Sequence, residues 1–376
     1  MKLLIVSSEP LNPGDTFSSI FELSQAKLLG KVLDVAILSV GQAPFAVLRP
    51  VRRHVIEGVR VYEGLASPGG RFEASLKRWT AAARKGFAAY HRENGRPDVI
   101  HAHGRFLSAG AFASGAGVPY LYTDHSSLYQ RGYAPDEARP VLREVVEGAA
   151  VYSTVSPSLA KAVEAFLGGE VRPAVITPNV LDPIYETAAP KPPTAGPFTF
   201  INIATLDANK GVDVLIGAFA QAFGASDERL VICGDGPLRG ELEALAREVG
   251  VAERVAFLGK VSRQAVLEEI DRAHVLVISS HVETFGVAAI EAMARGRPVV
   301  STRCGGPEGL VDENNGLLVP PGDVEALAGA LQTIAATYGR YDPAAIRAGA
   351  VGLYGEAAFL ERMMGLYKAA AHDRHR

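Results

Sequence analysis

The sequence predicts an α/β protein of two Rossmann-like domains that face a central cleft. Short, continuous apolar runs such as residues 3–6 and 200–204 suit strands that are buried on both faces. Ala- and Leu-rich stretches of helical length, such as 212–223, lie between them, and this alternation is typical of parallel sheets. The series begins twice, at residue 1 and again at residue 198. Ligands of open α/β sheets bind beyond the carboxyl ends of the strands, so we expect the chemistry in the cleft.

A proline-rich segment, residues 187–197, separates the two series. Its prolines fix φ and lack an amide donor, so the segment cannot continue a helix or a central strand. We therefore predict an N-terminal domain over residues 1–186, a linker over 187–197 and a C-terminal domain over 198–356. Residues 357–376 begin with a helical apolar face, which either packs locally or crosses back to the N-terminal domain.

The composition is that of a globular protein. A chain of 376 residues exceeds what one hydrophobic core usually organises and suits two domains. Hydrophobic residues make up 48% of the chain and charged residues 21%. The formal net charge of -3 argues against a nucleic-acid partner. Cys233 and Cys304 have no metal-type spacing, and they favour a reducing cytoplasm over a disulfide framework.

The chain has no predicted membrane span. The N-terminal apolar run, residues 3–6, is too short for a signal-peptide core, and no stretch reaches the roughly 18 apolar residues of a membrane helix. We expect a cytoplasmic protein. Residues 71–96 hold seven Lys or Arg against two Glu, with aromatic residues among them. Such a helix either packs with a solvated basic face, which is favoured, or docks peripherally on anionic lipid at the inner face of the membrane.

Two glutamates flank the start of a predicted helix in the second half of the chain. An apolar strand ends before Glu283, and a helix is predicted to begin near Phe285 and to contain Glu291. Eight residues of helix span about 12 Å, so the two carboxylates can hold different parts of one extended ligand. Carboxylates accept hydrogen bonds from sugar hydroxyls, and the amides of a helix N-terminus suit a phosphate. Each glutamate taken alone is equally consistent with a solvated surface charge.

The surrounding motif resembles the signature of the family-4 retaining glycosyltransferases. The match comprises Glu283-x7-Glu291 with Phe285-Gly286, followed by Ala-Met-Ala-x-Gly-x-Pro. Further matching segments, in family order, are 176–179, 210–211, 233–237, 257–259, 305–308 and 317–323. The resemblance covers residues 176–335 and is weak in the first half. It implies the glycosyltransferase B (GT-B) fold and retaining transfer of a hexosyl unit from a nucleoside diphosphate sugar to a hydroxyl acceptor, which could be a glycan, a glycolipid precursor or a small metabolite.

The resemblance also implies roles for individual residues. Glu291 would hold the ribose hydroxyls, and Lys210 would neutralise charge on the leaving diphosphate, where negative charge builds as the glycosyl bond breaks. Glu283 and the amides of residues 285–287 would hold the sugar and the diphosphate. The full set of predicted donor residues in this half is Lys210, Thr205, Gly234, Lys260, Val261, Glu283, Phe285, Gly286, Val287 and Glu291. Lys260 and Val261 would lie near the base, and Gly234 in a tight turn near the donor.

Thr205 departs from the family pattern, which usually has Arg five residues before the lysine. Arg is a planar, bidentate phosphate partner and Thr is not, so half of the expected cationic clamp is missing. Either Arg303 or Arg263 substitutes, or turnover is slow.

The first strand–helix loop departs from the family as well. The family has a Gly-Gly pair there, and this chain has Gly14-Asp15. Gly14 would allow close backbone approach to the donor phosphate. Asp15 would oppose a phosphate, so we expect it to meet an acceptor hydroxyl or amine, unless it is simply a helix N-cap.

Histidines follow two strands of the N-terminal half. His125 matches the family position that touches the transferred sugar, whereas His103 is a weaker candidate for which a structural role is at least as plausible. The His101-x-His103 pair has no accompanying Cys or carboxylate cluster, which disfavours a metal site. No Asp-x-Asp motif is present, so we expect metal-independent catalysis, with the sugar nucleotide as co-substrate and no other cofactor.

Three alternatives remain. Gly234-Asp-Gly-Pro237 resembles a dinucleotide loop, but Pro237 interrupts the pattern and no acidic residue ends the next strand, which disfavours a nicotinamide cofactor. The same fold would suit a sugar-nucleotide epimerase or hydrolase. Thr205 motivates a third alternative, a non-catalytic sugar-nucleotide-binding partner. The sequence leaves the base, the sugar, the acceptor, the linkage and the oligomeric state open.

Overall fold

The computed structural model describes residues 1–11, 20–46, 49–104, 107–193 and 195–372. The chain divides into two compact units. Unit 1 comprises Met1–Val180 and Ala357–Arg376, and unit 2 comprises Leu181–Glu356. The predicted α/β class with two parallel-sheet domains is confirmed.

The division between the units differs from the predicted linker at 187–197. It falls after Val180, and the residues that follow pack with unit 2. Two buried guanidinium groups hold the first part of the predicted linker in unit 2: Arg295 donates hydrogen bonds to the carbonyls of Ala188 and Ala189, at 2.5 and 2.6 Å, and Arg297 donates to the carbonyl of Lys191. A segment that carries no secondary structure is thus fixed by side chains that are distant in sequence.

Unit 1 contains an eight-stranded sheet in the order β3-β4-β2-β1-β5-β6-β7-β8. Its strands are β1 Lys2–Ser7, β2 Asp34–Gln42, β3 Arg52–Ile56, β4 Val59–Ala66, β5 Val99–Gly104, β6 Tyr120–Asp124, β7 Val151–Thr154 and β8 Val175–Ile176. Among the strands that the structure describes in this unit, β3 alone runs antiparallel to its neighbour. Its helices are α1 Ile20–Leu29, α2 Phe72–Asn94, α3 Ser108–Ser114, α4 Ala138–Gly148 and α5 Pro157–Leu167.

The basic segment predicted at 71–96 forms α2. Its buried residues are mostly small and pack on the sheet, where a side chain at Gly64 would overlap the carbonyl of Ala82. The exposed positions carry Lys77, Arg84, Lys85 and Arg92. Peripheral membrane contact through this face stays a prediction. Among the described residues, every helix is too short or too polar to cross a bilayer.

Unit 2 contains a six-stranded parallel sheet in the order β11-β10-β9-β12-β13-β14. Its strands are β9 Thr199–Ile203, β10 Arg229–Cys233, β11 Val255–Gly259, β12 Val275–Ile278, β13 Val299–Thr302 and β14 Gly316–Val319. Its helices are α6 Pro183–Thr187, α7 Val212–Phe223, α8 Arg239–Glu248, α9 Arg263–Arg272, α10 Val287–Ala294, α11 Val324–Ala336 and α12 Pro343–Tyr354. The strand order reverses between β9 and β12, so the loops after these two strands meet at the switch point where open α/β sheets bind ligands.

The terminal helix α13, Glu356–His372, completes the core of unit 1. Phe359, Met363 and Tyr367 lie in the same apolar cluster as Leu3 and Ile37. Of the two positions that the sequence left open for this helix, the structure has the one against the N-terminal sheet.

Candidate functional site

The loops after β9 and β12 are tied together at the switch point of unit 2. The hydroxyl of Ser279 donates to the carbonyl of Lys210 at 2.8 Å, and the amide of His281 donates to the carbonyl of Asn209 at 2.7 Å. Gly211 is left-handed, with φ 56°, and a side chain there would overlap the carbonyl of Ser279. The Lys-Gly dipeptide therefore lets the two loops touch.

This contact brings Lys210 and Glu283 together. Nζ of Lys210 lies 2.6 Å from Oε1 of Glu283, and the hydroxyl of Ser280 donates to the same oxygen at 2.8 Å. The two side chains retain 23% and 19% exposure. Water screens the attraction in a partly exposed ion pair of this kind, so the pair contributes little to stability. An anion can therefore replace the carboxylate at low cost.

The backbone of Glu283 is held from the other side by the loop after β13. Its amide donates to the carbonyl of Cys304 at 2.8 Å, and the amide of Gly306 donates to its carbonyl at 2.8 Å. A side chain at Gly306 would overlap the backbone of Phe285. The Gly305-Gly306 pair thus permits close packing against the turn that leads into α10.

The N-terminus of α10 follows this turn. Gly286 is left-handed, with φ 96°, and precedes the first helical residue, Val287. Phe285 is buried and packs edge-on against Tyr354, with ring centroids 5.8 Å apart. The first amides of a helix point along its axis away from the helix and carry partial positive charge. Lys210, Glu283 and the N-terminus of α10 therefore come together at the switch point.

Glu291 lies farther along α10, in a half-buried position. Burial raises the pKa of its carboxyl to about 7, while Arg263 and a hydrogen bond with Tyr185 act to lower it. Tyr185, on α6, is only 1% exposed. Arg263 also pairs with Asp182, the N-cap of α6. The carboxyl of Glu291 is thus bordered by a phenol and a cation.

The remaining predicted donor residues lie along the same edge of the sheet. Thr205 is exposed just beyond β9, Lys260 is exposed just beyond β11, and Val261 is half-buried beside it. The amide of Gly234 donates to the carbonyl of Gly259 at 2.9 Å, and a side chain at Gly234 would overlap the carbonyl of Ala204. Gly234 is therefore a close-packing position of the β10 turn.

The two arginines considered as substitutes for the missing one lie in different places. Arg263 is engaged by Asp182 and borders Glu291. Arg303 is exposed and follows β13, and its amide donates to the carbonyl of Val319 at 2.7 Å. It adjoins Cys304, which holds the backbone of Glu283.

Sequence reasoning missed three polar residues of this edge. Tyr185 and Asp182 lie outside the predicted C-terminal domain, so the predicted boundary concealed them. Arg239 opens α8, two residues after Pro237; it pairs with Glu243 at 2.8 Å and donates to the carbonyl of Phe257 at 3.3 Å. Its place directly after the Gly-Asp-Gly-Pro turn was the available signal.

A separate polar cluster occupies unit 1. His103 is the penultimate residue of β5 and His125 follows β6, with Nδ1 of His103 3.0 Å from Nε2 of His125. Burial lowers the pKa of His101 to about 3 and that of His103 well below its ordinary value. Burial raises the pKa of Asp124 to about 7, against hydrogen bonds from its neighbours that act to lower it. The predicted residues Gly14 and Asp15 lie outside the described part of the chain.

The fold defines the class of protein. The solved structure of Anabaena Alr3699/HepE in complex with UDP covers 98% of this chain and 100% of its own, with a TM-score of 0.77 and 21% sequence identity. The two parallel-sheet units therefore have the GT-B fold of glycosyltransferases.

Sequence comparisons give the family. The family model described as Glycosyl transferases group 1 matches residues 186–342, and the Glycosyl transferase 4-like domain matches residues 26–179. Glycogen synthase of Mycobacterium tuberculosis is 28% identical over 358 residues, or 89% of this chain and 86% of that protein. D-inositol 3-phosphate glycosyltransferase of Xylanimonas cellulosilytica is 30% identical over 386 residues, or 90% and 88%. The chain belongs to the group 1 glycosyltransferases, and the resemblance seen in its motifs is confirmed.

Proposed function

We propose that this glycosyltransferase moves a hexosyl unit, with retention, from a nucleoside diphosphate sugar to a hydroxyl acceptor. The observation that carries the proposal is the Lys210–Glu283 pair at the N-terminus of α10. The pair supplies a cation for a phosphate and a carboxylate for a sugar hydroxyl within one small region. Anabaena HepE, which has the same fold, has been solved with UDP and with UDP-glucose, which supports a donor of this kind.

The nucleoside end of the donor is assigned to Glu291. Its carboxylate can accept hydrogen bonds from two ribose hydroxyls, with Arg263 offsetting its charge. Hydroxyl donors favour the ionised carboxylate, so binding of the donor and ionisation of Glu291 support each other. Lys260, Val261 and the Gly234 turn lie farther along the same edge of the sheet and are assigned to the base and its surroundings.

The diphosphate is assigned to Lys210 and the amides of residues 285–287. When the donor binds, its phosphate replaces Glu283 as the partner of Nζ of Lys210. The released carboxylate then accepts a hydrogen bond from a sugar hydroxyl. As the bond between the anomeric carbon and the phosphate oxygen breaks, charge accumulates on that phosphate. Fixed cations and amide dipoles stabilise such charge without reorganisation.

The acceptor adds to the same face of the sugar that the phosphate leaves. Its oxygen bonds to the anomeric carbon, and its proton passes to the departing phosphate oxygen, so no strong protein base is required. His125 is assigned a hydrogen bond to the transferred sugar. No metal is assigned, because Lys210 and the α10 amides supply the positive charge. Activity that persists in excess chelator is the expected result.

Thr205 leaves the phosphate with one fewer cation than the family pattern provides. We assign the second charge to Arg303, which lies beside the Cys304 contact of Glu283. Slow turnover is the alternative consequence of the same departure. Gly14 and Asp15 stay predictions for the donor phosphate and the acceptor.

The decisive experiment pairs a binding screen with turnover. A thermal-shift screen of nucleoside diphosphates and their sugars identifies the base and sugar, because a ligand that binds the folded state raises its melting temperature. The donor so found is then incubated with and without a panel of hydroxyl acceptors. Acceptor-dependent transfer with retained anomeric configuration supports the proposal. Rapid conversion without acceptor would indicate the epimerase or hydrolase, and tight binding without turnover across the panel would indicate the non-catalytic partner.

A further inference from the structure

His103 and His125 form a direct ring-to-ring hydrogen bond in unit 1. His103 lies in β5 and His125 follows the neighbouring parallel strand β6, and the amide of His125 donates to the carbonyl of Gly104 at 3.1 Å. Nδ1 of His103 lies 3.0 Å from Nε2 of His125, with ring centroids 5.2 Å apart. One nitrogen of each ring is therefore committed to the other ring.

The surroundings of Nε2 of His103 indicate which of the two rings donates the hydrogen bond. His103 is 1% exposed, and its Nε2 has no hydrogen-bond partner within the part of the chain that the structure describes. Burial keeps the imidazole neutral by lowering its pKa, so it has one N–H and one lone pair. A proton on Nε2 would leave a buried N–H unsatisfied, whereas a proton on Nδ1 leaves only a lone pair. Among buried backbone groups, an unpaired N–H is rarer than an under-satisfied carbonyl, and we apply the same preference to the ring of His103.

We infer that His103 donates its Nδ1–H to Nε2 of His125 and thereby fixes His125 in the tautomer that carries its proton on Nδ1. His103 is then a positioning residue. It makes Nδ1 of His125 a hydrogen-bond donor, so a ligand atom that bonds to this nitrogen is an acceptor, such as the oxygen of a sugar hydroxyl or of a phosphate. The functional consequence rests on the proposed contact of His125 with the transferred sugar.

The neighbouring His101 provides a matched control. It is as buried as His103, and the two ring centroids are 3.9 Å apart. Its nitrogens, however, bond to the hydroxyls of Tyr367 and Thr123, each at 2.8 Å. Loss of His101 should therefore disturb the core without changing the partner of His125.

The test is the protonation of the His125 ring in the full chain labelled with ¹⁵N-histidine. Two-bond ¹H–¹⁵N correlation spectra distinguish a protonated from an unprotonated ring nitrogen. In wild type, Nδ1 of His125 should be protonated and Nε2 unprotonated. His103→Leu should abolish that preference. His103→Asn, whose amide can donate from the position of Nδ1, should retain it, and His101→Leu should leave the His125 pattern unchanged.

Transfer rates supply the second measurement. His103→Leu should lower kcat about tenfold, the usual size of one hydrogen bond, with a smaller change in KM for the donor. His103→Asn should lose less than about threefold, which also keeps the test valid if the Leu variant folds poorly. A wild-type His125 protonated on Nε2, or an unchanged His125 pattern in both His103 variants, would overturn the inference. If the spectra respond as expected while His125→Ala transfers normally, the proposed sugar contact fails instead.

Discussion

Nζ of Lys210 lies 2.6 Å from Oε1 of Glu283, across the switch point between β9 and β12. The two residues are far apart in sequence and meet because Gly211 lets one loop rest against the carbonyl of Ser279. Before any ligand binds, the cation that we propose for the donor phosphate, Lys210, is therefore paired with Glu283. A phosphate that displaces Glu283 frees that carboxylate for a sugar hydroxyl in the same step.

Removal of the lysine should abolish most turnover and leave the fold intact. Lys210→Ala should lower kcat by about 10²–10³, because the leaving phosphate loses its fixed cation. The matched control is Lys27→Ala, which breaks an exposed pair with Glu57 at the same 2.6 Å. Initial rates and melting temperatures are measured for both variants. A rate within about twofold of wild type for Lys210→Ala would reject the site assignment.

Replacement of the second glutamate should weaken donor binding. Glu291→Gln keeps the size of the side chain but loses the charge-assisted hydrogen bonds to the ribose, worth about 1.5–3 kcal/mol, or roughly 10–100-fold in Kd. Isothermal titration with the nucleoside diphosphate gives this value directly. Glu248→Gln, at the end of α8, is the control and should bind as wild type does. Equal affinities of the two variants would show that Glu291 does not contact the ligand.

Glu291 should also leave a pH signature in stability. Burial raises the pKa of its carboxyl from 4.5 to about 7 in the folded protein. The folded state then binds the proton more tightly than the unfolded chain, so the group favours folding at low pH, and this contribution is lost as the pH rises from 4.5 through 7. The Tm of Glu291→Gln relative to wild type should therefore increase between about pH 5 and about pH 8. A difference that stays constant with pH would contradict the raised pKa.

Loss of Arg303 should lower turnover, and restoration of the family arginine should rescue it. Because the second charge is assigned to Arg303, Arg303→Ala should lower kcat about tenfold. Thr205 is exposed just beyond β9, so a longer side chain fits there without repacking. Thr205→Arg, added to Arg303→Ala, should restore kcat, because it returns a second cation to the leaving diphosphate. Thr205→Gln in the same background adds length without charge and is the control. An unchanged kcat in these variants would show that a different group supplies the second positive charge.

The guanidinium of Arg295 should be a major source of stability in unit 2. It pairs with both oxygens of buried Asp271, at 2.8 and 2.9 Å, and donates to the carbonyls of Ala188 and Ala189. Arg295→Met leaves Asp271 buried without its cation, which should cost about 3–5 kcal/mol. Urea unfolding measures this loss. Arg272→Met, on the exposed end of α9, should cost less than about 1 kcal/mol. A small loss in both would mean that water replaces the cation at Asp271.

The sequence was informative where the signal is local. Continuous apolar runs predicted the strands, and the Phe-Gly turn predicted the start of α10 near residue 286. Arg295 and Arg297 were read only as variable positions of the motif, although they hold residues 188–191 of the predicted linker in unit 2. Their partners are backbone carbonyls around residue 190, which leave no pattern in the sequence. Tyr185 was missed because it lies outside the predicted C-terminal domain, and because its hydrogen bond to Glu291 exists only once α6 and α10 have packed.

The division of the chain has a consequence for biosynthesis. Unit 1 is assembled from two separate stretches, since Phe359, Met363 and Tyr367 of α13 complete the core that Leu3 and Ile37 begin. Unit 2 is one uninterrupted stretch. During translation, part of the apolar surface of the N-terminal sheet therefore stays uncovered until α13, which follows unit 2, has been made. The unit that is synthesised second is the first that can finish folding.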